Sequence, residues 1–186
     1  MKRLFDFVAA GSALVGFAPV MVLISALVAL TSRGPVLYRS QRVGLRNRLF
    51  WMYKFRTMRA GTPAVATHLL EHPEEKITPV GRFLRRTSLD ELPQLLNVIR
   101  GEMSLVGPRP ALFNQQDLVL LRTERGVDAL LPGITGWAQV NGRDELPVPH
   151  KVDYDVYYLK NRTFRFDLRI LWLTVVKVLR RDGVAH

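Results

Sequence analysis

The chain has 186 residues, of which 48% are hydrophobic and 23% charged, a mixture typical of one folded domain joined to an apolar segment. The absence of cysteine excludes disulfides, thiol catalysis and cysteine-ligated zinc or iron–sulfur sites. The net charge of +11 is concentrated in residues 31–60, which contain eight basic residues and no acidic one, and this indicates an anionic partner unless the block is only a solvated face.

The first element is an apolar segment, residues 4–30, whose single charge is Asp6. As a helix it would be about 40 Å long, more than the ~30 Å hydrocarbon core of a bilayer requires. A single-pass membrane anchor is one interpretation. A signal peptide is disfavoured because the apolar run is long and Arg33, rather than a small-residue cleavage site, follows it.

Re-entry into the membrane is a second interpretation of this segment. Lys2 and Arg3 precede it and the basic block follows it. Because Lys and Arg favour the cytoplasmic side, a spanning helix would put one basic flank on the wrong side. Pro19 lies near the middle, where its missing N–H and its ring would kink a helix. A helix that bends near Pro19 and returns keeps both flanks cytoplasmic, so the residues leave spanning and re-entry open.

A β-hairpin and then mostly helices are predicted after the apolar segment. Runs of β-branched and aromatic residues at 36–41 and 49–58, separated by residues 44–47, predict a hairpin that carries the basic residues. Apolar residues at helical spacing, or proline in a first turn, predict helices at 79–86, 90–100, 112–123, 152–160 and 166–181. We predict a loop at 132–136, a short strand at 137–140 and a turn at Asn141-Gly142.

The last predicted helix is apolar over more of its circumference than an ordinary surface helix. It is interpreted either as a buried core helix or as a helix that lies in the membrane interface. Mixed elements without a βαβ rhythm predict the α+β class, with a mostly helical domain, a small β-hairpin and an N-terminal membrane helix.

Two adjacent acids, Asp90 and Glu91, form the candidate site. An acid or Ser88 at a helix N-terminus is also ordinary capping chemistry, which by itself explains the run 88–93. Four arginines change the setting, three before the acids and one between prolines after them: Arg82, Arg85, Arg86 and Arg109. Carboxylates among guanidiniums could provide an ionised nucleophile and a magnesium ligand beside an anion-binding pocket. Arginine suits phosphate because its planar fork donates parallel hydrogen bonds.

Eight blocks of residues stand out in order along the chain. They are Lys54-Phe55-Arg56-Thr57-Met58, Ser88-Leu89-Asp90-Glu91-Leu92-Pro93-Gln94-Leu95, Asn97-Val98, Met103-Ser104, Val106-Gly107-Pro108-Arg109-Pro110, Pro132-Gly133-Ile134-Thr135-Gly136, Ala138-Gln139-Val140-Asn141-Gly142-Arg143 and Tyr154-Asp155-Val156-Tyr157-Tyr158. Together they resemble the bacterial sugar transferase family, the monotopic polyprenyl-phosphate phosphoglycosyltransferases. The resemblance runs essentially end to end, and the chain resembles the small, minimal catalytic form rather than members with an additional multi-spanning N-terminal domain.

The resemblance implies a two-step reaction in which Asp90 is the covalent nucleophile. Asp90 attacks the β-phosphorus of a UDP-sugar and UMP leaves. Polyprenyl phosphate, which is undecaprenyl phosphate in most bacteria, then takes the phosphosugar from the carboxylate. Glu91 matches the family residue that helps to hold Mg²⁺, and the metal neutralises diphosphate charge.

The resemblance also implies which residues bind the substrate. Arg109 matches the phosphate-binding arginine of the family's Pro-Arg-Pro loop. Lys54, Arg85 and Arg143 occupy motif positions that we expect to touch the nucleotide-sugar.

Family members insert the N-terminal helix as a re-entrant hairpin that breaks at a Ser-Pro pair. Here Ala18-Pro19 keeps the proline and lacks the serine hydroxyl. The implied organisation is a re-entrant membrane helix at residues 1–32 and an interface-associated catalytic domain at 33–186. The implied location is the cytoplasmic face of the bacterial inner membrane, in contact with membrane lipid.

A membrane-tethered, basic nucleic-acid-binding protein is the alternative, motivated by the net charge and the arginine block. No recognised nucleic-acid motif accompanies that charge, so we expect no nucleic-acid partner. The sequence does not specify which sugar is transferred, which glycan pathway is served (capsule, O-antigen or exopolysaccharide), or whether the chain forms a homo-oligomer.

Overall fold

The computed structural model describes residues 2–63, 72–142 and 146–180. Its helices are α1 (Lys2–Thr31), α2 (Pro73–Lys76), α3 (Pro79–Thr87), α4 (Gln94–Arg100), α5 (Gln116–Glu124), α6 (Trp137–Asn141), α7 (Val148–Asn161) and α8 (Phe164–Arg180). Its strands are β1 (Leu37–Val43), β2 (Leu49–Phe55), β3 (Ser104–Val106) and β4 (Gly133–Thr135). This mostly helical chain, with a small antiparallel hairpin and an apolar N-terminal helix, confirms the predicted α+β class.

Strands β1 and β2 form the predicted hairpin, in a register that pairs Val43 with Leu49. In the connection, Arg46 and Asn47 have φ values of 50° and 59°, in the left-handed region that favours short turns. Alternate residues of a strand share one face, so Lys54 lies on the same face as Met52. Met52 is buried against α1 and α4, and the hairpin therefore turns Lys54 towards the interior.

Helix α1 packs on the rest of the protein near both of its ends. Towards its start, Ala10 is buried in a cluster with residues of β2 and α4. Towards its end, Ile24 and Val28 are buried against Phe55 and Leu84. Between these contacts, residues 15–20, which include Pro19, are exposed. Among the described residues, α1 is the one helix long and apolar enough to cross a membrane.

The regular helix predicted at 90–100 begins later than predicted, at Gln94. Residues Leu89–Glu91 form a 3₁₀ turn instead, and Leu92 N–H donates to the Leu89 carbonyl at 3.3 Å. The physical reason is Pro93, which has no N–H to bond the Leu89 carbonyl in the α-helical pattern. The helix ends as predicted at Gly101, which has a φ of 86°. The two acids therefore lie in a tight turn before the helix.

The strand predicted at 137–140 is wrong, because these residues belong to helix α6. The strand in this region is β4, which pairs in parallel with β3 inside the predicted loop. Short apolar runs do not distinguish helix from strand, and the glycines at 133 and 136 indicate a loop by composition. Their lack of a side chain instead permits close packing, since a Cβ on Gly133 would lie 2.1 Å from the Gly107 nitrogen.

Helix α8 has one buried face and one exposed apolar face. Ile170 and Asp167 are buried, and Ile170 packs with Val106 and Tyr158. The outer face exposes five large apolar side chains: Phe164, Leu168, Trp172, Val175 and Leu179. Helix α8 therefore packs on the core with one face and exposes an apolar surface on the other.

Candidate functional site

The acidic pair is presented by the 3₁₀ turn between α3 and α4. Thr78 caps α3 by accepting a hydrogen bond from Gly81 N–H at 2.9 Å. The helix ends at Ser88, whose φ of 56° redirects the chain. Asp90 then follows with only 7% of its surface exposed. Two short helices joined by a left-handed residue therefore hold a carboxylate in a nearly water-free position.

Two cations from distant parts of the sequence meet this pair. Lys54 Nζ on β2 lies 2.6 Å from Glu91 Oε1 and 3.8 Å from Asp90 Oδ2. Arg109 Nη1 lies 3.4 Å from the same Glu91 oxygen. One oxygen of Glu91 thus faces two positive charges, while Asp90 stays farther from Lys54.

Burial and the surrounding charges have opposing effects on the pKa of Asp90. Burial raises its pKa above the ordinary value, because a carboxylate loses hydration inside the protein, and the nearby charge of Glu91 raises it further. Lys54 is the largest opposing influence, followed by Arg85 and Arg109. The net direction is upward. A carboxylate that is poorly solvated and still surrounded by cations suits attack on an anionic substrate.

Arg85 lies on α3, beside the strand that carries Lys54. Its Nε donates to Thr57 Oγ1 at 3.0 Å. The helix approaches this segment closely at Gly81, where a Cβ would lie 2.0 Å from the Thr57 carbonyl oxygen. Thr57 was not predicted as a site residue, although it belongs to one of the motif blocks. Its hydroxyl orients Arg85 near Asp90.

The loop of residues 107–110 is tied down along its backbone. Gly107 N–H donates to the Thr135 carbonyl at 2.9 Å, and the Pro108 carbonyl accepts from Gly133 N–H at 2.9 Å. The Pro110 carbonyl accepts from Arg42 Nη1 at 3.2 Å. The loop is irregular, and its backbone is fixed from both β4 and the hairpin.

Arg122 and Asp155 lie behind this loop, and neither was predicted as a site residue. Arg122 Nη1 donates to the Arg109 carbonyl at 2.8 Å. Its Nε and Nη2 both donate to Asp155 Oδ2, at 2.9 and 2.6 Å. Burial raises the pKa of Asp155, and Arg122 opposes that rise. Asp155 lies within the tyrosine-rich block and could have been found there, whereas no local signal marks Arg122.

The structure therefore brings five of the six predicted site residues together: Lys54, Arg85, Asp90, Glu91 and Arg109. The sixth, Arg143, lies outside the described residues. Across the described part of the chain there is no group of three His, Cys, Asp or Glu side chains that could hold a metal by themselves. The Asp90–Glu91 pair supplies two carboxylates.

Nearly the whole chain is similar to known proteins. Residues 1–181 match the family model described as bacterial sugar transferase. The chain is 42% identical over 184 residues to the uncharacterized sugar transferase EpsL of Bacillus subtilis, a match that covers 99% of this chain and 90% of that protein.

Two longer relatives carry functional names. The undecaprenyl-phosphate galactose phosphotransferase of Salmonella typhimurium is 41% identical, and the match covers 98% of this chain and 41% of that protein. The UDP-glucose:undecaprenyl-phosphate glucose-1-phosphate transferase of Xanthomonas campestris is 43% identical, and the match covers 96% of this chain and 38% of that protein. The chain thus spans about two fifths of the length of these two relatives.

Proposed function

The chain belongs to the bacterial sugar transferase family, and from this premise we propose that it transfers a sugar phosphate from a UDP-sugar to undecaprenyl phosphate. Names of relatives support both substrates, because they specify undecaprenyl phosphate as acceptor and, in several cases, a UDP-sugar as donor. Those names differ in the sugar, galactose or glucose, so the proposal specifies the donor class and leaves the sugar open.

The observation that carries the proposal is the convergence of three cationic side chains on the buried Asp90 and its half-buried neighbour Glu91. In the first step an Asp90 oxygen forms a bond to the β-phosphorus of the UDP-sugar. The bond from that phosphorus to the bridging oxygen breaks, and UMP leaves with the electron pair. In the second step an oxygen of the lipid phosphate attacks the same phosphorus, and the Asp90 carboxylate is released. Dividing the exchange in this way is nucleophilic catalysis.

The cations around Asp90 have separable tasks in this proposal. Lys54 and Arg109 both contact Glu91, at the edge of the site that the diphosphate would approach. Arg109 has 38% of its side chain exposed, so the phosphate oxygens of a donor can reach it. Arg85 and Lys54 oppose the rise in the Asp90 pKa and thereby help to keep the nucleophile ionised. Positive charge around the phosphoryl group stabilises the transition state.

The donor set fits Mg²⁺. Magnesium is usually held by one or two carboxylates, with substrate phosphates and water as the other ligands, and Asp90 and Glu91 are two adjacent carboxylates. Glu91 is the residue we assign to the metal, since Asp90 is needed for the phosphorus. When bound, the ion would neutralise charge on the diphosphate and its leaving oxygen.

Contacts at both ends of α1 support a re-entrant rather than a spanning topology. Near its start, Lys2 Nζ lies 2.7 Å from Asp167 Oδ2 on α8, and Asp6 accepts from Ser104 Oγ at 2.7 Å. Near its end, Arg56 Nη2 donates to the Ser32 carbonyl at 2.7 Å. Both ends of α1 therefore contact the rest of the same chain, whereas a span would place one end on the far side of the bilayer.

We therefore assign both ends of α1 to the cytoplasmic side, with the exposed residues around Pro19 in the bilayer. The acceptor's phosphate lies in the headgroup layer, and this arrangement holds the catalytic domain at that layer. The proposed location is the cytoplasmic face of the inner membrane, where basic residues attract anionic lipid.

The test uses the purified full chain in lipid nanodiscs. UMP release is measured with a panel of UDP-sugars in the presence of undecaprenyl phosphate, and intact-mass spectra are recorded with donor alone. We expect a phosphosugar adduct on the wild type and none on Asp90→Asn, whose amide cannot form the acyl phosphate. Asp153→Asn, at an exposed acid on α7, is the matched control and should retain the adduct. Near-normal turnover by Asp90→Asn would refute the nucleophile assignment.

A further inference from the structure

Arg122 is a buried charge with two different partners on opposite edges of its guanidinium. It is 9% exposed, and its Nε and Nη2 donate to the carboxylate of Asp155, which is 1% exposed. From the other side, Nη1 donates to the backbone carbonyl of Arg109 at 2.8 Å. A buried ion pair is weak as a source of stability, because desolvation offsets the attraction between the charges. Its contact with the loop therefore calls for a different explanation.

The third hydrogen bond of Arg122 holds the backbone of Arg109, whose guanidinium we assign to the donor's phosphates. Arg109 lies between two prolines, which restrict its backbone, and its side chain is 38% exposed. Its guanidinium reaches Glu91 Oε1 at 3.4 Å, and the direction in which the side chain leaves the loop depends on the peptide behind it. Arg122 holds that peptide from α5, and Asp155 holds Arg122 from α7.

We propose that Arg122 and Asp155 are positioning residues, which fix the Arg109 backbone so that its guanidinium meets the donor's phosphates. This inference rests on the proposed function. The pair does not touch the acidic residues of the turn in any contact of the described residues, so its effect on the reaction passes through Arg109. Arg122→Lys replaces three donor nitrogens of a rigid planar fork with one nitrogen on a flexible stem, so we expect lysine to hold the carboxylate and the Arg109 carbonyl less rigidly.

The neighbouring Arg125–Asp153 pair provides a matched control. It joins the end of α5 to α7, as the buried pair does, but its atoms are 3.5 Å apart and its side chains are 52% and 61% exposed. An exposed pair of this kind contributes little to stability, and neither residue bonds the loop in the described contacts.

The experiment is a double-mutant cycle on the full chain in nanodiscs, with kcat/KM for UMP release as the readout. Arg122→Lys should lower kcat/KM by about 10- to 100-fold, as expected when a catalytic group is misplaced by roughly 1 Å. Arg125→Lys should leave it unchanged. In an Arg109→Ala background, Arg122→Lys should have less than about a twofold further effect, because the side chain it orients is gone.

Each outcome decides the inference separately from the proposed function. If the wild type is fully active and Arg122→Lys lowers kcat/KM equally in the wild-type and Arg109→Ala backgrounds, the positioning role is overturned. The proposed reaction would be unaffected by that result. Normal kcat/KM in Arg122→Lys would overturn the positioning role too. Thermal unfolding checks that each variant is folded. If Arg122→Lys is unfolded, Asp155→Asn takes its place in the cycle, and loss of folding in both would make the pair a structural element only.

Discussion

At the scale of single residues, the site depends on an acid that the fold does not favour in its charged form. Asp90 is buried, and burial is the largest influence on its pKa, ahead of every cation around it. A protein selected for stability alone would place an amide or an apolar residue there. Under the proposed function, activity and stability therefore make opposite demands at Asp90.

The sign of this pKa shift gives a prediction about stability. Because the folded-state pKa of Asp90 is raised, the folded protein binds more protons than the unfolded one above pH 3.8. The free energy of unfolding therefore falls as pH rises through the interval between the two pKa values. Asp90→Asn removes the buried charge, so its Tm at about pH 7.5 should exceed that of the wild type, and the gain should vanish below about pH 3.8. Asp153→Asn should leave the Tm unchanged at both pH values. A lower Tm for Asp90→Asn at neutral pH would contradict the direction of the pKa shift.

Glu91 gives a second prediction at this scale. Glu91→Gln removes the charge that faces Lys54 and Arg109 and the carboxylate that we assign to Mg²⁺. We expect kcat to fall by about 100-fold or more and a higher magnesium concentration to be needed for half-maximal rate. Titration of magnesium against rate, with Glu74→Gln at an exposed position as control, measures both. Full activity of the wild type in EDTA would remove the metal from the mechanism.

At the scale of elements, the loop of residues 107–110 is held rigid by neighbours on each side. The parallel pair of β3 and β4 fixes its start, while the β-hairpin and α5 fix its end. Close approach requires glycine at position 107, since a Cβ there would lie 2.3 Å from the Leu131 carbonyl oxygen. That neighbour is backbone and has little room to shift.

Gly107→Ala should therefore loosen the loop. We expect a loss of about 1–3 kcal/mol in the free energy of unfolding from overpacking, and lower activity because Arg109 follows two residues later. Gly11→Ala is the matched control: an added Cβ there meets nothing within 4 Å, and helical alanine is favoured over glycine. Urea unfolding with a UMP-release assay measures both effects, and equal stability of the two variants would mean that the loop adapts.

At the scale of the whole molecule, α1 and the remainder of the chain act as one unit. The helix contributes Ala10, Ile24 and Val28 to two separate buried clusters. Its middle and the outer face of α8 expose apolar side chains. Such surfaces are expected at a membrane boundary rather than in water.

Cysteine labelling tests the topology that follows. The chain has no native cysteine, so one cysteine appended before Met1 and, in a second variant, Arg33→Cys are each unique. If α1 re-enters, an impermeant maleimide should label both only after the inner membrane is opened. Labelling of the N-terminal cysteine in intact spheroplasts would establish a spanning helix and overturn the re-entrant assignment. It would leave the proposed chemistry at Asp90 unaffected.

The sequence by itself determined the features that depend on neighbouring residues. Runs of β-branched and aromatic residues predicted the hairpin, apolar length predicted α1, proline in a first turn predicted α3, and helical spacing predicted α7, because these signals act over a few residues. Motif blocks contained four of the five residues that the structure then brought together, and Arg85 was among the arginines noted before the acids. The roles of these residues and the topology of α1 stay predictions.

Only the tertiary structure decided how distant segments share one site. Lys54 and Glu91 meet across 37 positions of sequence, and Arg122 reaches Asp155 across 33; neither pairing leaves a local pattern. The same is true of β4, whose residues look like a loop until β3 supplies their hydrogen-bond partners. Propensity and capping are local, whereas burial, ion pairing and strand pairing depend on which surfaces the folded chain brings into contact.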